Sequence, residues 1–162
     1  MKMHDVDSSY RLDRSDLEIV AELSKNARLS NKELAAKVGL APSTCLLRVR
    51  KLTENRILRG FHAEVDPEAV GVGLQAIISI QLKEHSEHDF SQLRSHLTKV
   101  QEIVAIYHLA GKEDLMLHVA VRDSSHLRDF VIGELASRSE VRHLETKLVF
   151  ESIRTGSLPQ YL

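Results

Sequence analysis

The spacing of hydrophobic residues changes near the middle of the chain. Before Gly60, apolar residues recur three or four positions apart, as at Cys45, Val49 and Leu52, which is the spacing of one face of an α-helix. From Leu74 onward, alternating stretches typical of strands are separated by two helical stretches. The pattern predicts a helical domain over residues 1–66, a linker over 67–73, a mixed domain over 74–153 and a tail over 154–162.

The first domain contains the start and stop signals of three short helices. Asp13 is a plausible N-cap for a helix over residues 12–27. Ser30 and Glu33 form an S-x-x-E capping box for a second helix, which ends at Gly39. Pro42 suits the first position of a third helix because its φ is already helical. This order predicts a helix-turn-helix, and loose alternation over residues 57–65 predicts a short strand or wing after it.

The second domain alternates between strand and helix patterns in a recognisable order. Its predicted order is β-α-β-β-α-β, the ferredoxin-like split βαβ arrangement, so the fold class of the chain is α+β. The predicted strands cover residues 74–82, 103–109, 115–121 and 141–150, and the predicted helices cover 89–100 and 124–137.

Charge is distributed unevenly along the chain. The whole sequence has a net charge of −1, but residues 25–59 contain nine basic and two acidic residues, a net charge of +7. Most basic runs are merely solvated faces. Here the positive charge coincides with a helix-turn-helix, and a protein that neutralises DNA phosphates needs its positive charge on one surface. The combination predicts double-stranded DNA as a partner.

The third helix would be the recognition helix, and its outward residues are the candidate DNA contacts. The candidates are Ser43, Thr44, Leu47, Arg48, Arg50 and Lys51. Arg50 can read guanine bidentately, and Leu47 can contact a thymine methyl group or a neighbouring helix. Arg48 lies nearer the core edge, so both a phosphate contact and a structural ion pair are open to it.

The chain resembles the Lrp/AsnC family of leucine- and asparagine-responsive regulators. The resemblance rests on residues 12–16, 38–44 and 45–52, and on the turn Gly-Lys-Glu-Asp at 111–114, which is similar to the family's Gly-x-x-Asp turn. It implies a transcription regulator that dimerises through the βαββαβ domain, often assembles into octamers and responds to small effectors, usually amino acids. The chain departs from the family at Ala41, where a capping Ser is usual, and at Lys112 and Leu115 in the effector turn. Near residues 144–146, where the family often has two hydroxyl residues, it has only Thr146.

The resemblance also implies an effector site around the Gly111 turn. Its candidate residues are Tyr107, His108, Ala110, Gly111, Asp114 and Thr146. Glycine lets backbone amides approach a carboxylate closely, and Asp114 can accept from an ammonium group. The alternative is that Gly111 and Asp114 only form a hairpin turn, a common use of both residue types.

An enzyme on the same framework is the alternative function. Haem-precursor decarboxylases resemble these regulators in fold and use histidines near a tetrapyrrole, and this chain has nine histidines. Such an enzyme does not need a basic helix-turn-helix. No H-E-x-x-H pattern occurs, and the single cysteine, Cys45, excludes a Cys-cluster zinc site. We therefore predict no catalytic site, no metal and no cofactor.

Two features bear on the compartment. The sequence has no apolar run of about 18 residues, the length that a membrane span requires. The first ten residues are too polar for a signal peptide. A cytoplasmic location without membrane contact is the expectation.

Overall fold

The computed structural model describes residues 10–84, 87–153 and 158–159. The chain divides into two compact units, one running up to Glu64 and the other covering Val65–Ile153. Among the described helices, none has the length and apolar character needed to cross a bilayer.

The first unit contains three helices, and predicted capping residues fix the starts of the first two. They are α1 (Arg14–Lys25), α2 (Asn31–Lys37) and α3 (Pro42–Glu54). The Asp13 side chain accepts from the backbone amide of Asp16, whose own carboxylate accepts from the amide of Asp13, and Ser30 and Glu33 form the same reciprocal box. The helix predicted over 12–27 is shorter at both ends because Asp13 and Asn26 are its caps.

Side chains from all three helices form the core of this unit. Its fully buried residues include Ile19, Leu34, Cys45 and Leu52, and Ile57 packs against them after α3 ends. Gly39 has φ +66°, the left-handed conformation predicted for the residue that ends the second helix.

The short strand or wing predicted over residues 57–65 is not a strand in the structure. This segment contains no strand, and the amides of Ile57 and Leu58 both donate to the Leu52 carbonyl at the end of α3. A strand needs a partner with which to pair, and the described part of this unit contains no other strand. The loose alternation instead reflects Ile57 and Leu58 packing against the helices.

The second unit has the predicted βαββαβ order. After a short 3₁₀ turn in the predicted linker (Glu68–Val70), its elements are β1 (Leu74–Leu82), α4 (Glu87–Leu97), β2 (Ile103–His108), β3 (Leu115–Val121), α5 (Ser124–Phe130) and β4 (Val141–Val149). The sheet order is β2-β3-β1-β4, with every pair antiparallel. The helix predicted over 124–137 is α-helical only to Phe130, and Val131–Ala136 continues it as a π-helix.

Both helices of this unit cover the same face of the sheet. Alternate residues of β1 and β3, such as Ile78 and Leu117, are fully buried in one cluster with Leu93 of α4 and Leu135 of the π-helix. The intervening residues, such as Ile77 and Met116, lie on the opposite face, where no described element of this unit packs. One face of the sheet therefore lacks a cover within its own unit.

Candidate nucleic-acid interface and effector turn

Helix α3 presents one face to the core and the other to solvent. Cys45 and Leu52 are fully buried and Val49 is half-buried, whereas the predicted DNA contacts other than Arg48 are exposed. Leu47 is 58% exposed, so it does not make the inter-helix contact that was one of its two predicted roles. Leu46, which sequence reasoning missed, is also exposed and lines a shallow apolar groove with Phe61.

The start of α3 lacks the usual side-chain cap. Ala41 occupies the N-cap position and makes no side-chain hydrogen bond. The Asn31 side chain, from the first turn of α2, donates from Nδ2 to the carbonyl oxygen of Pro42 at 2.8 Å. This bond ties the beginning of the recognition helix to α2. No sequence pattern predicts this bond, because Asn31 is simply a polar residue that follows a helix cap.

Arg48 makes a partly buried ion pair with Asp16 of helix α1 and with Asp13, the N-cap of that helix. Its Nη1 lies 2.7 Å from Oδ2 of Asp13 and 2.8 Å from Oδ1 of Asp16. The Asp16 side chain is only 2% exposed, and its Oδ2 also accepts from the hydroxyl of Tyr10 at 3.1 Å. Of the two roles open to Arg48, the structure has the ion pair, so Arg48 is corrected from a DNA contact to a residue that holds α3 against α1.

Hydrogen bonding shifts the pKa values of Asp13 and Arg48 in the directions that keep both groups charged. The backbone amide of Asp16 and the Arg48 guanidinium lower the pKa of Asp13 below its ordinary value. Hydrogen bonds to Asp16 and Asp13 raise the pKa of Arg48. Burial, with the Asp16 carboxylate beside it, raises the pKa of Tyr10. Asp13 and Arg48 are therefore both charged at neutral pH, whereas the raised pKa of Tyr10 keeps its hydroxyl neutral.

Three of the nine basic residues in the positive segment have acidic partners. Besides Arg48, these are Lys25 and Lys37, which lie 3.1 Å and 2.9 Å from the carboxylate of Glu22. The other six are exposed, and none has an ion-pair partner in the described part of the chain: Arg28, Lys32, Arg50, Lys51, Arg56 and Arg59. This unit thus keeps most of its positive charge available to an anionic partner.

The predicted effector turn connects β2 to β3 and is tied to the neighbouring strand. Gly111 is exposed with φ +151°, a conformation that favours glycine. The Asp114 carboxylate accepts from the amide of Leu82 at 2.8 Å, and the Asp114 amide donates to the carbonyl of Ile80 at 2.9 Å. Asp114 therefore has the structural role of the hairpin alternative, whether or not it also binds a ligand.

The predicted effector residues Tyr107 and His108 lie on opposite faces of the sheet. Tyr107 is paired with Met116 on the uncovered face, and Ala110, next to Gly111, is exposed in the turn. His108 lies on the helical face, where its ring stacks on Phe90 of α4 with centroids 4.1 Å apart. The prediction that both line one pocket in a single chain was wrong, because consecutive strand residues point to opposite faces.

Thr146 lies far from the turn within one chain. It pairs with Ile78 on β4, which is the outer strand opposite β2. Two strands separate β2 from β4, so the outer strands are about 14 Å apart. The prediction that Thr146 reaches across to the Gly111 turn was therefore wrong for a single chain.

Comparisons with known proteins agree with this architecture along nearly the whole chain. The family described as "Lrp/AsnC ligand binding domain" matches residues 75–158, and "Winged helix-turn-helix DNA-binding" matches residues 12–59. The chain belongs to the Lrp/AsnC family. It is therefore a transcription regulator with a DNA-binding helix-turn-helix and a ligand-binding domain.

Individual relatives support the assignment. The chain is 42% identical to the HTH-type transcriptional regulator AldR of Mycolicibacterium smegmatis, over 90% of this chain and 85% of that protein. It is 33% identical to the leucine-responsive regulatory protein of Escherichia coli K12, over 94% and 95% of the two chains. A transcriptional regulator of Neisseria meningitidis, solved as an L-Met complex, superposes with a TM-score of 0.83 at 31% identity, covering 92% of this chain and 97% of that one.

These relatives also decide between the two function classes. They are curated regulators, and the match covers both the DNA-binding and the ligand-binding domains. This Lrp/AsnC protein is accordingly a regulator, not an enzyme. The decarboxylase alternative shares a fold resemblance only.

Proposed function

We propose that this Lrp/AsnC protein binds specific DNA sequences and that an amino acid regulates its oligomer. The observation that carries the proposal is α3, whose exposed face presents Ser43, Thr44, Leu47, Arg50 and Lys51 while Arg48 holds its inner side. The hydroxyl residues lie at the helix start, where free amides also bind phosphate. Arg50 and Leu47 can then reach base edges, and Lys51 can reach the backbone.

The proposed effector is an amino acid bound at the Gly111 turn. The Neisseria relative is a complex with L-Met, which makes the same ligand class reasonable for this chain. The backbone amides of Ala110 and Gly111, two exposed residues, can donate hydrogen bonds to a carboxylate. A carboxylate such as Asp114 has room for more than one donor, so its bond to Leu82 does not prevent an ammonium contact. Tyr107 and His108 flank the turn, and Thr146 would have to come from another subunit.

We propose a homodimer that packs through the uncovered face of the sheet, with an octamer as its larger assembly. The second face of an antiparallel sheet is usually polar when it faces water, whereas here it carries the apolar residues Ile77 and Met116 and the aromatic Tyr107. A two-fold dimer would place two copies of α3 on successive major-groove turns of a palindromic site. The proposed location is the cytoplasm, where such a regulator meets chromosomal DNA.

The central experiment is fluorescence anisotropy on the DNA upstream of the protein's own gene, with scrambled DNA as the control. Specific binding should exceed scrambled binding by at least about 10³-fold, and log K should fall steeply with log salt. A panel of amino acids is then added to the complex. Equal, weak binding to both duplexes would contradict specific recognition of this DNA, and a panel without effect would contradict the amino-acid effector.

Replacing Arg50 or Lys51 by alanine should weaken DNA binding in different ways. Arg50→Ala should lose about 1–3 kcal/mol on the specific duplex and relax base preference, because a guanine contact is lost. Lys51→Ala should weaken binding evenly on specific and scrambled DNA, because a phosphate contact carries no sequence information. Competition anisotropy on single-base variants measures both effects. The same loss on every sequence for both variants would contradict the assignment.

Asp114→Asn should abolish the stabilisation given by the effector. The asparagine oxygen can still accept from the Leu82 amide, so the fold is kept while the charge is removed. At a ligand concentration about 100 times Kd, wild-type protein gains about 2.7 kcal/mol, and the variant should gain almost none. Thermal shift with and without the active amino acid measures this. Glu113→Gln, which changes the neighbouring carboxylate bonded to Gln81, is the matched control. A wild-type thermal shift in Asp114→Asn would mean that Asp114 only stabilises the hairpin turn and does not bind the effector.

A further inference from the structure

Helices α2 and α3 end in the same type of turn, but with different residues at its critical position. After α2, the amide of Leu40 donates to the Ala35 carbonyl at 2.9 Å, and Gly39 has φ +66°. After α3, the amide of Ile57 donates to the Leu52 carbonyl at 2.9 Å, and Arg56 has φ +56°. Both have the six-to-one bond of a Schellman motif, in which the residue just past the cap adopts the left-handed conformation.

Glycine is the residue that this position ordinarily favours. The left-handed conformation brings the Cβ atom of other residues too close to the backbone, and Arg has no short polar side chain to compensate locally. In the described part of the chain, Arg56 is the only non-glycine residue with positive φ. The chain has glycine at the equivalent position after α2. Arginine at this position after α3 therefore costs conformational free energy that glycine would not.

The surroundings of Arg56 give no structural use for its side chain. It is exposed, and none of the described acidic groups lies within ion-pair distance of it. The hydrophobic contact that completes the turn is made by Leu52 and Ile57, which belong to the core, and not by Arg56. The strain therefore has no compensating contact within this unit.

The position of Arg56 along α3 matches the edge of a major groove. Helix α3 has 13 residues. At 1.5 Å per residue, such a helix is about 20 Å long, whereas the major groove is about 12 Å wide. With Ser43 and Thr44 at its start entering the groove, the opposite end reaches the flanking phosphates. Arg56 follows that end directly.

We propose that Arg56 binds a backbone phosphate of DNA beside the groove entered by α3, and that this contact is the reason for a strained arginine at the helix end. The inference rests on the proposed DNA-binding surface and adds a contact outside the recognition helix itself. A guanidinium suits this task because it pairs with phosphate through two parallel hydrogen bonds. The competing explanation is that a cation at a helix C-terminus interacts favourably with the helix dipole.

The test uses Arg56→Gly, for which fold stability and DNA binding should move in opposite directions. Thermal unfolding of the full chain should show Tm raised by several degrees, because glycine relieves the left-handed strain. Binding to a labelled mixed-sequence duplex should weaken by about five- to tenfold near 0.1 M salt, and the slope of log K against log salt should become about 1 unit shallower. A variant that is more stable but binds less tightly excludes misfolding as the cause.

Two further variants separate the phosphate contact from general charge effects. Arg56→Lys keeps the charge and should retain most of the salt slope without the rise in Tm. Arg128→Ala removes the same charge from an exposed position in the other unit, where the side chain is 67% exposed, and should leave the slope unchanged.

The outcomes are distinct for the inference and for the function on which it rests. Wild-type affinity and salt slope in Arg56→Gly, with wild-type protein binding DNA normally, would overturn the phosphate contact alone. A fall in Tm for Arg56→Gly would overturn the strain argument and favour the helix dipole. Failure of the wild-type protein to bind any duplex would overturn the proposed function as well.

Discussion

Arg48→Ala is expected to unfold or severely loosen the DNA-binding unit. The substitution leaves the Asp16 carboxylate, 2% exposed, without its cationic partner. Removing one member of a buried ion pair costs about 3–5 kcal/mol, and the lower end applies here because the Arg48 side chain is 28% exposed. For a unit of this size, the Tm of its transition should fall by more than about 10 °C. Thermal unfolding followed by circular dichroism measures the change.

Arg14→Ala is the matched control. It removes an arginine from the same set of helices, but the Arg14–Glu18 pair is exposed, at 93% and 43% for the two side chains. Exposed pairs contribute about 0.2–1 kcal/mol, so Tm should change by only a few degrees. Because Arg48→Ala should destabilise the DNA-binding unit, that variant should also lose specific DNA binding. If both variants had the same small effect, the pair between α1 and α3 would not stabilise the unit.

Ile77→Asp is expected to dissociate the dimer while the subunits stay folded. Ile77 lies at the middle of β1 on the uncovered face, beside His118 of β3 and Lys147 of β4, and it is half-buried in a single chain. In the proposed interface, a carboxylate there loses most of its hydration, at a cost of several kcal/mol for each subunit. The dimer dissociation constant should rise by at least about 10³-fold. Sedimentation velocity across a concentration series measures it.

Ile132→Asp makes the same chemical change on the helical side of this unit. Ile132 is 59% exposed, so a carboxylate there stays in water and should leave the dimer intact. Circular dichroism would show whether either variant has lost its fold. A dimer that survives Ile77→Asp would place the interface away from the uncovered sheet face, and one that dissociates only in Ile132→Asp would place it on the helices.

The elements with local chemical causes could be predicted from the sequence. The capping residues Asp13 and Ser30, the left-handed Gly39 and the helical Pro42 each act within a few residues, so their effects are visible in a short window. Strand β1 was predicted at its observed bounds because an apolar residue stands at every second position from Leu74 to Leu82.

The candidate sites could be predicted only in part, because their residues meet through pairing and packing. Tyr107 and His108 were predicted to line one pocket, but they are consecutive residues of β2 and so face opposite sides of the sheet. Thr146 was misplaced because the sheet order, which the alternation does not contain, puts β4 at the far edge. The strand predicted over 57–65 failed because pairing requires a partner strand.

The sequence by itself determined the order of the helices and the βαββαβ order of the second unit, which residues form the inner side of α3, and where positive charge is concentrated. These properties follow from periodicity and composition, which act along the chain. Only the tertiary structure decided the role of Arg48, because its partners Asp13 and Asp16 are more than thirty positions away and are brought near by the packing of α1 on α3. It also decided that Arg56 is strained. The turn after α3 sets the φ of Arg56, and that turn is closed by the hydrogen bond from Ile57 to Leu52, two residues that pack in the core of the unit.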